Sequence, residues 1–176
     1  MIREATTIED DNLLVKIIND MVSYSPNYYE GNINVGDRPY SKEQVLNDFK
    51  SELTENVFIK SFMYDVSGVV QGYLKARFQS NMRCSIDVIA MTKEAIISNR
   101  KRWIFELMLH LGTYCESNGY THIQASIPKR NAGIVEISTL FNVNRKLIDN
   151  DWGGNIYIEE DISHYILVCQ RWLNAN

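Results

Sequence analysis

No apolar run in this chain is long enough to span a bilayer. The opening Met1-Ile2-Arg3-Glu4 also lacks the apolar core of a secretory leader. The expectation is a cytoplasmic protein with no membrane role. Cysteine is scarce. Cys84, Cys115 and Cys169 are odd in number and far apart, with no CxxC pair and no zinc-ligand spacing. That excludes a disulfide framework and leads to an expectation of buried free thiols and no metal. Only 3 prolines occur. No Pro/Gly-rich linker, low-complexity tract or internal repeat divides the chain, so residues 1–176 read as one domain. Positive charge is short as well, with 18 Lys and Arg against 22 Asp and Glu. A sequence pI near 5.4 argues against general nucleic-acid binding.

What is present is 45% hydrophobic residues over 176 positions, enough for one sizeable core. Ile2 to Ala5 reads as a short strand. Thr7 with Asp10, and Ser41 with Gln44, are helix-start spacings. They open amphipathic helices over Thr7 to Val22 and from Ser41 through Leu53. Val57 to Tyr64 and Val69 to Phe78 flank Asp65-Val66-Ser67-Gly68, a hairpin signal. Cys84 to Met91 reads as a central strand. Ile104, Leu107, Met108, Leu111 and Cys115 share one face of a helix over 99–118. Gly119 supplies its left-handed cap. Thr121 to Ile127 is the next strand and Ala132 to Phe141 a short helix. Tyr165 to Trp172 reads as a returning strand.

These elements run β-α-α-β-β-β-α-β-α-β-β. With Asn118-Gly119-Tyr120-Thr121-His122-Ile123, Asn131-Ala132-Gly133-Ile134 and Leu140-Phe141-Asn142-Val143, that order resembles the GNAT superfamily of N-acyltransferases over nearly the whole chain. The resemblance implies an α/β fold: a mixed, mostly antiparallel sheet of six to seven strands with helices on both faces. It also implies an acyl-CoA co-substrate and an amine acceptor, either a small molecule or a protein.

The family's glycine-rich pyrophosphate loop falls on Asn99-Arg100-Lys101-Arg102-Trp103-Ile104, where no glycine remains. Two readings of this loop are open. Three cations at a helix start oppose the helix dipole, which an anion would offset. Guanidinium groups would then stand in for backbone donors to phosphate. Alternatively, the patch is solvated or salt-bridged to acidic side chains.

By resemblance, Asn99 to Ile104 and Asn131 hold the cofactor, and amides around Ala90 and Met91 polarise its carbonyl. Asp87 is the only acid in its strand and the candidate base, against the alternative of a solvated face. Ser138 stands where many family members carry the tyrosine that protonates the leaving thiolate, although a serine hydroxyl is a far weaker acid. Aromatic and acidic residues of two loops, Tyr24, Tyr28, Tyr29, Asp37 and Tyr40, then Asp149, Asp151, Trp152, Glu159, Glu160 and Asp161, suit a cationic amine or a protein interface. The reading is an N-acyltransferase that moves an acetyl or other acyl group to a primary amine in a ternary complex. The alternative is a non-catalytic GNAT-fold protein serving as a binding or structural component, with homo-oligomers or assembly partners.

Overall fold

Ser67 and Gly68 both adopt positive φ, 55° and 82°. That backbone matches the right-handed twist of a two-residue hairpin, and glycine reaches it without strain. The turn joins β4 (Ile59–Val66) to β5 (Val69–Phe78), with Val66 opposite Val69. The connection is therefore tighter than the four-residue loop expected from sequence. The computed structural model describes residues 1–5, 34–35, 38–39, 58–92, 94–95, 101–128, 132–141, 145–148 and 155–176. The two helices expected over 7–22 and 41–53 lie outside these.

Seven strands form one sheet in the order β1-β4-β5-β6-β7-β9-β8. β1 is Ile2–Glu4, β6 Arg83–Met91, β7 His122–Pro128, β8 Arg145–Ile148 and β9 Asn155–Asp161. A separate short hairpin pairs β2 (Asn34–Val35) with β3 (Arg38–Pro39). Within the large sheet every pairing is antiparallel except β6 with β7. A parallel pair needs a crossover. Helix α1 (Arg102–Ser117) provides it and ends at Gly119, φ 77°. Helix α2 (Ala132–Ser138) follows β7, and α3 (Ile162–Ala175) follows β9.

One sheet face carries Phe62, Leu74, Ala76, Phe78, Cys84, Ile123, Ile156 and Ile158 into a core shared with α1 and α3. The five apolar residues that define the α1 stripe in the sequence are all buried there. The thiols of Cys84, Cys115 and Cys169 are free and buried.

The tail corrects the sequence reading, because Tyr165 to Trp172 is helix and not strand. The β-branched and aromatic residues in Tyr165-Ile166-Leu167-Val168 favour a strand. Burial of Ile162, Tyr165 and Cys169 instead follows a helical spacing. The last two strands are β8 and β9. Glu159, Glu160 and Asp161 accordingly belong to β9 and not to a loop.

Helix α3 lies against α1 at a glycine. A Cβ on Gly112 would stand 2.9 Å from Ile166 Cγ1 and 3.0 Å from Tyr165 Cδ1. Gly112→Val is expected to destabilise the fold by about 1–3 kcal/mol or more through overpacking. Urea denaturation measures it, and an unchanged midpoint would show that the helices have room to part.

Candidate active site

The site begins with a register fault. β6 pairs with β5 so that Ala76 faces Ile86 while the next residue back, Lys75, faces Val88. Asp87 is the extra residue, a β-bulge on β6. Its carboxylate meets Arg77 across the strands, with Nε and Nη2 each 3.2 Å from Oδ2. This pair explains how an acid is held on a central strand.

Just at the bulge, β6 and β7 part. Their parallel pairing runs from Arg83 with His122 to Ile86 with Ala125 and stops there. β7 goes on to pair with β9 as far as Pro128. Residues 87–91 of β6 therefore have no strand on their β7 side among the described residues. A cavity of about 90 Å³ occupies the gap. Asp87 and Ile89 of β6, Ile104 and Met108 of α1, Gln124 and Ser126 of β7, Ser138 of α2, Glu160 of β9 and Tyr165 of α3 all line it.

The structure thus brings Asp87 and Ser138 to one cavity beneath the start of α1. Ser138 is 1% exposed, and its Oγ donates to the Val135 carbonyl at 2.6 Å. Of the loop residues, Ile104 lines the cavity. Trp103 turns away from it and stacks on Tyr64 with centroids 5.2 Å apart. Burial, helped by the Glu106 carboxylate, pushes the Tyr64 phenol up to about 12.

Lys101 is ion-paired with Glu136 of α2. Arg102 Nε donates to Glu106 Oε1 at 3.0 Å. α1 has neither a side-chain cap nor an acid in its first turn. Both cations are roughly two-fifths exposed, so these pairs are weak, about 0–1 kcal/mol each, and exchangeable for a stronger anion. Met91 is buried, and a Cβ on its neighbour Gly72 would lie 2.7 Å from its Sδ. Its side chain therefore belongs to the core. Ala90 lies in the same strand stretch, opposite Tyr73. Asn99, Arg100 and Asn131 lie outside the described residues, as do Tyr24, Tyr28, Tyr29, Asp37, Tyr40, Asp149, Asp151 and Trp152.

The sequence reading missed Glu136 and Tyr165 as contributors, and it placed Glu160 in a loop and not on a buried strand. Glu136 is the partner that Lys101 finds on α2. Glu160 is 2% exposed and Tyr165 3%. The alternation Ile156, Ile158, Glu160 would have placed that acid on the core face of its strand.

Cys84 and Cys169 do not offer a nucleophile. A hydrogen bond with Cys115, then burial, holds the Cys84 thiol far above its ordinary range. Burial pushes Cys169 up to about 12. Both stay protonated near neutral pH, and the thiolate is the reactive form. Among the described residues no group of three or more His, Cys, Asp or Glu is placed to hold a metal ion. No described helix is long and apolar enough to cross a membrane.

Neither a protein-family model nor a curated protein matches this chain. Solved structures do. The PaiA N-acetyltransferase of Thermoplasma acidophilum, in complex with coenzyme A, superposes with a TM-score of 0.62 at 17% identity, covering 92% of this chain and 99% of that one. An N-acetyltransferase of Staphylococcus aureus gives 0.64 at 18% identity over 92% and 98%. A spermidine N-acetyltransferase of Vibrio cholerae gives 0.67 at 12% identity over 94% and 95%. The architecture of this chain is the GNAT fold.

Proposed function

We propose that this protein is an N-acyltransferase that moves an acetyl or other acyl group from acyl-CoA to a primary amine. The observation that carries the reading is the parting of β6 and β7 at the Asp87 bulge. The cavity formed there lies below the start of α1 and includes both candidate catalytic side chains. Structures with the same fold are N-acetyltransferases, one of them in complex with coenzyme A.

On this reading the basic start of α1 receives the pyrophosphate. Arg100, Lys101 and Arg102 supply the charge, and backbone N–H groups from Asn99 to Ile104 add the helix-terminus field. Lys101 and Arg102 exchange Glu136 and Glu106 for phosphate oxygens. Asn131, carried over from the resemblance, helps to position the cofactor. Backbone N–H groups around Ala90 and Met91 polarise the thioester carbonyl.

Asp87 takes a proton from the acceptor ammonium, directly or through water. The freed amine lone pair attacks the carbonyl carbon, the C–S bond breaks, and the thiolate leaves with its electron pair and takes up the proton that the acylated nitrogen loses. Ser138 faces that sulfur. Its hydroxyl must turn from the Val135 carbonyl to donate. Attack is direct, in a ternary complex, with no covalent enzyme intermediate. The three reduced cysteines suit a cytoplasmic setting.

Ser138→Ala is expected to lower turnover about 10-fold while changing acyl-CoA affinity less than 2-fold, since one neutral hydrogen bond contributes roughly 1 kcal/mol. Single-turnover kinetics separates the two, and untouched turnover removes Ser138 from the thiolate's side. The activity itself is tested by screening primary amines, polyamines and peptide N-termini with acetyl-CoA and following released thiol. Binding of acetyl-CoA without turnover on any amine would favour a scaffold that keeps the fold as a binding component.

A further inference from the structure

Helices α1 and α2 wall the cavity from separate supports. α1 rests on α3 and on β4, β5 and β6, whereas α2 rests on β7. Ile104 and Met108 line the cavity from α1, and Ile137 and Ser138 line it from α2. Among the described residues, one polar contact joins the start of α1 to α2, the ion pair between Lys101 Nζ and Glu136 Oε1. Lys101 stands three residues before Ile104, and Glu136 is next to Ile137. The pair therefore bridges the rim of the cavity. Neither side chain has a second hydrogen-bond or ionic partner among the described residues.

This contact does for α1 what a bound anion would do. The first turn of the helix has no acid and no side-chain cap. A helix N-terminus that carries Lys101 and Arg102 favours a negative group beside it. Glu136 brings that charge from another element. Its side chain is 66% exposed, so the carboxylate keeps most of its water and gives up the pair readily.

We infer that the Lys101–Glu136 pair is a latch across the cavity rim, and that Glu136 is a built-in competitor of the cofactor's pyrophosphate. This rests on the acyltransferase reading and deepens it. With the cavity empty, the latch ties α1 to α2. A phosphate that reaches Lys101 must displace the carboxylate, because two anions on one ammonium repel each other. Glu136 then stands unpaired near the phosphate and weakens its hold. After acyl transfer the same carboxylate retakes Lys101 and helps CoA to leave. The acid thus keeps the affinity for CoA below what the basic loop alone would give.

The test is a calorimetric titration with CoA and with inorganic pyrophosphate, at low salt. It compares the intact protein with Glu136→Gln, Lys101→Met and the double variant. Glu136→Gln is expected to bind both ligands about 5-fold more tightly than the native protein, the scale of one exposed ion pair. In the Lys101→Met background the same substitution should change either affinity by less than about 2-fold, because the competition acts through the ammonium. The gain should shrink at moderate salt. Melting of Glu136→Gln within about 2 °C of the native protein checks that the fold is intact, and a larger fall would make the pair structural and overturn the latch. Equal or weaker CoA binding by Glu136→Gln, when the native protein binds CoA, would also overturn it and leave the acyltransferase reading standing. So would a gain of the same size in the Lys101→Met background, which would make Glu136 a source of general repulsion. Absence of CoA binding in all four proteins at millimolar ligand would overturn the acyltransferase reading and the latch with it.

Discussion

Reversing the charge of Arg100 and Arg102 together, to Glu, is expected to weaken acyl-CoA binding at least 100-fold while the melting temperature moves by only about 2 °C. The binding loss follows from two charge-assisted contacts to phosphate, roughly 1.5–3 kcal/mol each, replaced by repulsion. The small stability change has a separate cause. Acids at a helix start are favoured by the dipole where cations are not. Arg102→Glu gives up the pair with Glu106 and sets two acids four residues apart, effects of a few tenths of a kcal/mol. These nearly cancel. Competition against a fluorescent CoA analogue measures the affinity, and thermal melting the stability. An unchanged affinity would remove the basic loop from the phosphate site. A large drop in melting temperature would mean that the loop is structural.

Phe105→Ala is expected to cost about 3–5 kcal/mol, the usual range for an aromatic removed from a core. Phe105 is fully buried on α1 and stacks on Trp172 of α3, centroids 4.2 Å apart and planes 9° from parallel. This contact fastens the last helix to the crossover helix. A chain of this length loses about 2–4 °C for each kcal/mol, so the expected drop is on the order of 10 °C. Function should follow, because Ile104 and Met108 on the same helix wall the cavity. Trp172→Phe keeps an aromatic face and should lose less than half as much. Urea and thermal denaturation give the values. A loss below about 1 kcal/mol would mean that α3 is held by other contacts and that the stacked pair is incidental.

Where structure depends on neighbours in the chain, the sequence was readable. Ser67-Gly68 marks the hairpin, and Gly119 ends α1 because a positive φ is needed there. The helical spacing from Ile104 to Cys115 predicts the buried face of α1, and burial agrees. The tail misled because local β preference outweighed a short helical period in 162–175. Nor could the sequence reveal the bulge. Asp87 stands out as an acid in an apolar strand, yet its extra position exists only relative to β5, and its Arg77 partner only through that pairing.

Distance in the chain hid the rest of the site as well. Lys101 meets Glu136, 35 positions away, on a different helix. Glu160 looks like one more surface acid beside Glu159 and Asp161 until the strand's two-residue period is applied. Tyr165 was one of several tyrosines with nothing in the spacing to select it. It reaches the cavity only because residue 162 begins a helix and not a strand. The glycines and the tyrosine that the resemblance leads one to expect at 99–104 and 138 are absent from the sequence. The parting of β6 and β7 is a property of backbone pairing, which no local motif announces.

The most direct measurement is a calorimetric titration of the purified protein with acetyl-CoA and with CoA, at low and at moderate salt. The account predicts saturable binding in the micromolar range, weaker at the higher salt because charged side chains carry much of the contact with the pyrophosphate. Absence of binding at millimolar ligand in both buffers would contradict it. The gap between β6 and β7 would then be part of a fold kept for another purpose.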